Sequence, residues 1–159
     1  MHVRPANEDD LYAVAVMAGE LVRFHHALAP RRFIPPPAAG LEQGYRGWLD
    51  SELKKSTAMF YVAVGDDRGL VGYLYAREQP RDWMKLVDAH VALIDIYVHP
   101  PARRSGVADA LIEALLAEAK TRGAPRVLLE TAAANEAAQA LFVKHGFAPS
   151  MIEMMRPIE

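Results

Sequence analysis

Leu93-Ile94-Asp95-Ile96-Tyr97-Val98-His99-Pro100-Pro101-Ala102-Arg103-Arg104-Ser105-Gly106-Val107-Ala108 changes its period halfway along, and that change decides the fold. Residues 91–98 are almost continuously apolar and rich in β-branched side chains, the composition of a strand covered on both faces. Pro100-Pro101 ends the run, because proline has no N–H to give to a sheet ladder. From Val107 onward the apolar positions recur at helical spacing through Leu111, Ile112, Leu115, Leu116 and Ala119. Lys120 and Arg122 fall in the last turn, and Gly123 and Pro125 stop the helix. The stretch reads strand, turn, helix. The first amides of a helix have no internal partner and carry the positive end of its dipole, so such a turn can hold a phosphate or pyrophosphate. Gly106 leaves room for a close approach, and Arg103 or Arg104 adds charge. A small residue at a strand-to-helix turn also serves plain packing, and the turn alone does not choose between the two.

The turn has company. Val98-His99-Pro100 followed by Arg103-x-x-Gly106-x-Ala108 resembles the acyl-CoA-binding motif of the GNAT N-acetyltransferase superfamily, Arg/Gln-x-x-Gly-x-Gly/Ala. Beyond that helix, Asn135-Glu136-Ala137-Ala138-Gln139-Ala140-Leu141-Phe142-Val143-Lys144-His145-Gly146-Phe147 resembles the second signature of the family, an Asn opening a helix that closes on Gly-Phe. The resemblance covers residues 90–147, and the remaining elements fit the same order. It implies one domain over residues 1–159 with a GNAT-like α/β fold, a mixed twisted sheet of six or seven strands flanked by about four helices. Acetyl-CoA is then the co-substrate, entering where the fourth and fifth strands diverge. The residues implied to hold it are Arg103, Arg104, Ser105, Gly106, Val107 and Ala108 around the pyrophosphate, the backbone of Ile96, Tyr97 and Val98 along the pantetheine arm, and Asn135 and Phe142 from the second signature. The implied activity is transfer of an acetyl group to a primary amine of a small molecule or peptide in a ternary complex, the alternative being a CoA-binding sensor or structural protein without turnover.

Composition is ordinary for a soluble globular protein and narrows its class. The chain has 159 residues, 52% of them hydrophobic and 24% charged, with a formal net charge of −2, so nothing suggests the basic surface that nucleic-acid binding needs. Its zero cysteines exclude disulfides, thiolate metal sites and a Cys nucleophile. The six histidines show no convincing ligand spacing, and no metal is expected. The acidic Glu8-Asp9-Asp10 follows Met1 closely and no run approaches transmembrane length, so the expectation is a cytoplasmic protein away from membranes. A nucleotide-binding module on the Gly106 turn fails because neither Gly-x-Gly-x-x-Gly nor a Gly-Lys-Ser/Thr loop is present.

Working outward, residues 3–5 can form a short first strand, and Asn7 caps a helix expected to run to about His26. Pro30 and Pro35-Pro36-Pro37 make residues 29–37 an extended linker. A second helix covers residues 39–55. In the family this two-helix region borders the acceptor pocket, which makes His26, Tyr45 and Trp48 the substrate-side candidates, with His25, Arg32 and Phe33 nearby. Residues 58–64 and 70–76 read as strands joined by the turn-rich Gly65-Asp66-Asp67-Arg68-Gly69. In the connection that follows, Trp83 and Met84 either line a pocket or face a second subunit, and a homodimer is one assembly the family allows. Residues 126–131 give a fifth strand and residues 150–157 a last one, its Met151, Met154 and Met155 expected to fill core gaps.

Amine acetylation needs a base. Glu130 and Asp95 both stand in apolar strands, where burial pushes a carboxyl pKa toward neutrality, and both are candidates. The acid is a departure from the family pattern: many relatives carry a tyrosine where this chain has Phe142, leaving water, Tyr97 or an unassisted thiolate.

Overall fold

The computed structural model describes residues 1–158. One sheet of five strands runs in the order β1-β2-β3-β4-β5. β1 (His2–Pro5), β2 (Ala58–Val64), β3 (Leu70–Gln79) and β4 (His90–Val98) are antiparallel neighbours. β5 (Val127–Leu129) joins β4 in parallel, after a crossover through α3 (Val107–Thr121). The other helices are α1 (Leu11–Leu28), α2 (Leu41–Leu53) and α4 (Glu136–Lys144). Among the described residues no helix is long and apolar enough to cross a membrane.

Two cores lie on opposite faces of the sheet. Leu11, Val14, Met17, Ala18 and Leu21 of α1, with Leu49 of α2, cover Phe60, Val62, Tyr73, Tyr75 and Tyr97. Val107, Leu111, Ile112, Leu115 and Ala119 of α3, with Phe142 of α4, cover Met59, Ala63, Leu74, Ala76, Val91 and Leu93. The start of α1 is fixed by a capping box in which the Asn7 side chain and the Asp10 carboxylate each accept a backbone N–H, while Arg4 donates to both Asp10 oxygens at 2.7 and 2.8 Å.

β4 carries a bulge. Tyr75 of β3 pairs with Asp95, but the next pair is Ala76 with Leu93, so Ile94 is an extra residue and stands 43% exposed. A one-residue slip exchanges the faces of a strand. Val91 and Leu93 therefore point to the α3 face, whereas Asp95 and Tyr97 beyond the bulge point to the α1/α2 face.

Strand count is the correction to the sequence reading. The sheet has five strands rather than six or seven. Residues 148–158 carry no regular structure and are exposed, with Met151, Met154 and Met155 at 88%, 90% and 52% rather than in a core. An apolar run becomes a strand only against an edge long enough to pair with it, and β5 offers three residues. The segment leaves α4 through Gly146, in the left-handed region at φ +82°, and is tied back by Glu153 accepting from Arg32.

Candidate functional site

β4 and β5 pair over Val91, Ala92 and Leu93 against Val127, Leu128 and Leu129, and then part. Among the described residues no strand lies against the β5-side edge of residues 94–98. α3 begins at the end of that open edge. Pro100–Ala102 forms a 3-10 turn, Arg104 (φ +64°) and Gly106 (φ +86°) both adopt the left-handed conformation, and the first helical bond runs from the Ala110 amide to the Gly106 carbonyl. The amides just before Ala110 are left for an outside partner. A Cβ at Gly106 would meet nothing within 4 Å, so in this structure glycine is required by the turn conformation and not by crowding. The crowded glycine is Gly72, where a Cβ would sit 2.7 Å from the Tyr97 carbonyl oxygen and 3.2 Å from Val107 Cγ1. It lets β3 pass directly beneath the start of α3.

Side chains brace the loop from within. Arg103 Nε donates to the Val98 carbonyl at 3.0 Å and its guanidinium lies 5.7 Å from the centre of the Tyr97 ring. Ser105 Oγ donates to the Ala102 carbonyl at 2.7 Å. Asp109, in the first turn of α3, accepts from Lys144 Nζ at 2.6 Å and lies 2.9 Å from His145 Nε2, joining the ends of α3 and α4. Those bonds hold its carboxyl below the usual range. Behind the loop, a cavity of about 300 Å³ is lined by Met1, Asp66, Asp67, Ala102, Ser105 and Val107, and the Met1 ammonium there is paired with Asp66 at 2.6 Å.

On the α1/α2 face, Tyr73 Oη donates to Asp95 Oδ2 at 3.3 Å. Burial pushes the Asp95 carboxyl up to about 6, with the Tyr73 bond pulling the other way. Burial and the Asp95 charge together raise the phenol of Tyr45. Tyr45 and Trp48, with Gly44, line a cavity of about 280 Å³ on α2. Tyr97 Oη donates to the Glu20 carboxylate of α1, and burial first and this bond second push the phenol up to about 12. Glu20 also lies 3.9 Å from His99 Nδ1.

The structure therefore brings together Asp95, Tyr97, Tyr45 and Trp48 and leaves other sequence candidates elsewhere. Glu130 follows the last residue of β5 and is exposed, so the expected burial is absent because the strand ends at Leu129. Phe142 is 6% exposed in the core, edge to face with Phe147 at 5.9 Å, so its ring packs the α3 face. Val107 is likewise a core side chain at 3% exposure, and only its amide belongs to the turn. Asn135 caps α4, its Oδ1 accepting from the Ala138 amide at 3.3 Å. His26 does not line the α2 cavity; its Nδ1 lies 3.0 Å from the Phe33 carbonyl, while His25 stacks on the Phe33 ring at 4.8 Å. Tyr73 and Glu20 are the residues the sequence reading missed. Tyr73 reads as an ordinary strand aromatic, and Glu20 as a polar position of an amphipathic helix; a signal for either exists only once the bulge has turned Asp95 and Tyr97 toward them.

Residues 21–147 match the acetyltransferase (GNAT) family. Over 99 residues, 61% of this chain, the sequence is 31% identical to human N-acetyltransferase 8, and the match spans 41% of that protein's length. The fold superposes on a Bacillus halodurans protein solved as a point mutant, with a TM-score of 0.85 at 16% identity over 100% of both chains. It also superposes on an aminoglycoside N-acetyltransferase solved in complex with CoA, with a TM-score of 0.73 at 18% identity over 98% of this chain and 93% of that one. At those identities the structural likeness is one of fold.

Proposed function

The chain belongs to the GNAT acetyltransferase family, and from that premise we propose that it transfers an acetyl group from acetyl-CoA to a primary amine within a ternary complex. The observation that carries this reading is the parting of β4 from β5 beyond Leu93, beside the open amides that start α3 and on the same strand as Asp95.

The roles follow from position. The amides from Arg104 to Ala108, with the Arg103 and Arg104 charges, take the pyrophosphate. The β5-side edge of Ile96, Tyr97 and Val98, where Arg103 now holds the Val98 carbonyl, gives the pantetheine arm a strand to lie along. A backbone amide near Val98 polarises the thioester carbonyl, a contribution of roughly 3 kcal/mol for one well-placed donor. Asp95, poised near neutrality, accepts the proton of the incoming ammonium through a water. The amine nitrogen then bonds to the carbonyl carbon, the C–S bond breaks with its electron pair leaving on sulfur, and the second proton of the nitrogen passes to solvent. With phenylalanine at position 142 and the Tyr97 hydroxyl already given to Glu20, the thiolate leaves unassisted and takes its proton from solvent. Positioning supplies much of the rate. Glu130, at the solvent, carries no step.

Calorimetry of acetyl-CoA with the wild type and with Ser105→Glu tests the cradle. Ser105 is exposed, so the variant places a negative charge at the pyrophosphate position without disturbing a core. The expected result is micromolar binding weakened tenfold or more in the folded variant; absence of binding to the wild type ends the acetyltransferase reading. A second reading, CoA binding without turnover, draws on the loss of a hydroxyl at Phe142 and is separated by assaying thiol release from acetyl-CoA with a panel of amines.

A further inference from the structure

We propose that the acceptor is a primary monoamine carrying a flat aromatic or similar apolar group, seated against Tyr45 and Trp48 with its nitrogen toward Asp95. The inference rests on the acetyltransferase reading and names the substrate class of the same site.

The wall is aromatic and its geometry is fixed. Tyr45 and Trp48 meet edge to face at 5.8 Å, and Trp48 meets Tyr75 the same way at 5.4 Å, so the indole is held from both sides. Tyr75 is pinned in turn, donating its hydroxyl to Glu52, a carboxylate with 3% exposure. Tyr75 is also the cross-strand partner of Asp95, and in an antiparallel pair both side chains project from the same face. One indole, one phenol and one carboxylate are thus set in series across α2, β3 and β4. At about 280 Å³ the site is a shallow, open depression on which one ring can lie against Tyr45 and Trp48.

Its charges exclude a polycation. Glu52 takes Lys55 Nζ at 2.6 Å and Arg77 at 3.5 Å in addition to Tyr75, so none of its charge is left for a ligand. Asp50 is paired with Lys54 at 2.6 Å and Glu42 with Arg23 at 2.5 Å. Glu20 receives Tyr97 and lies beside His99. A polyamine needs a separate anion for each further ammonium group; the acids of α2, Glu42, Asp50 and Glu52, each already have a cation, and Glu20 of α1 is engaged by the Tyr97 hydroxyl. Asp95 has only a neutral phenol, and it serves one nitrogen.

The test is steady-state thiol release from acetyl-CoA with 2-phenylethylamine and with spermidine. We expect kcat/KM for 2-phenylethylamine to exceed that for spermidine tenfold or more. Trp48→Ala should raise the 2-phenylethylamine KM about tenfold while calorimetric acetyl-CoA affinity stays within twofold, and Trp48→Phe should restore most of the loss. Tyr45→Ala, at a half-exposed position, gives the same direction and stands in if Trp48→Ala does not fold. Equal or better use of spermidine, an unchanged KM in both alanine variants, or acetyl-CoA binding with turnover of neither amine each overturns the inference while leaving the CoA site in place. Failure of the wild type to bind acetyl-CoA overturns the transferase reading, and this inference with it.

Discussion

At Asp95, burial holds the carboxyl near 6, which makes the residue a base at neutral pH and a liability to the fold at once. A carboxyl raised in the native state binds its proton more tightly folded than unfolded. Its contribution to stability is complete below the ordinary aspartate range and is lost as pH rises through about 6. Asp95→Asn should therefore be more stable than wild type at pH 7.5, by about 1–2 kcal/mol, and no more stable at pH 4, as read by denaturant titration at the two pH values. The same variant should lose acetyl transfer by a hundredfold or more while keeping acetyl-CoA affinity, and the wild-type kcat/KM should climb with pH through about 6. Glu130→Gln, at an exposed position outside the strand, should leave kcat within threefold. A loss from Glu130→Gln equal to that from Asp95→Asn would transfer the base to Glu130.

Among the elements, the seam between β3 and α3 tolerates the least. A methyl group at Gly72 would press on the Tyr97 carbonyl and on Val107, which are backbone and core rather than flexible surface. Gly72→Ala should cost about 1–3 kcal/mol and shift the loop that follows β4, seen as a fall in melting temperature together with weakened acetyl-CoA binding. Gly106→Ala meets no neighbour, and its cost is the left-handed backbone alone, about 1 kcal/mol. The order of the two effects separates crowding from conformation. At the other end of the sheet, Asp10→Ala removes the capping box of α1 and strands Arg4, for a loss of roughly 2 kcal/mol in chemical denaturation.

For the whole molecule, the sheet and its two cores account for the stability, and residues 148–158 add little. None of those residues is buried, and their tie to the body is one exposed ion pair between Arg32 and Glu153. Deleting residues 148–159 should leave the melting temperature within about 2 °C, since a change of 1 kcal/mol moves a chain of this size by roughly 2–4 °C. The deletion also removes Met151, Ile152, Met154 and Ile158 from the surface, leaving Trp83, Met84 and Leu86, at 73%, 94% and 86% exposure, as the large exposed apolar group on the β3–β4 connection. A drop of several degrees on deletion would mean that the segment packs in solution.

The change of period between Val98 and Val107, the capping box at Asn7 and the Gly-Phe closure of α4 are local signals, written in propensities and spacings that act over a turn or two of chain. The sequence by itself therefore determined the order of elements, the β4–α3 turn and the family. What only the tertiary structure decided is which face each residue of β4 presents. The bulge at Ile94 sends Asp95 to Tyr73 and the α2 wall, and no composition records it, because the extra residue is defined by its missing partner on β3. The same reason removed the last strand. A strand exists in the pairing of two segments, and the apolar run near the end of the chain pairs with none of the strands. Glu130 and Phe142 moved for a related cause: where β5 stops and how α4 rolls onto α3 decide whether a side chain meets solvent, core or ligand, and both are set by packing across the sheet rather than along the chain.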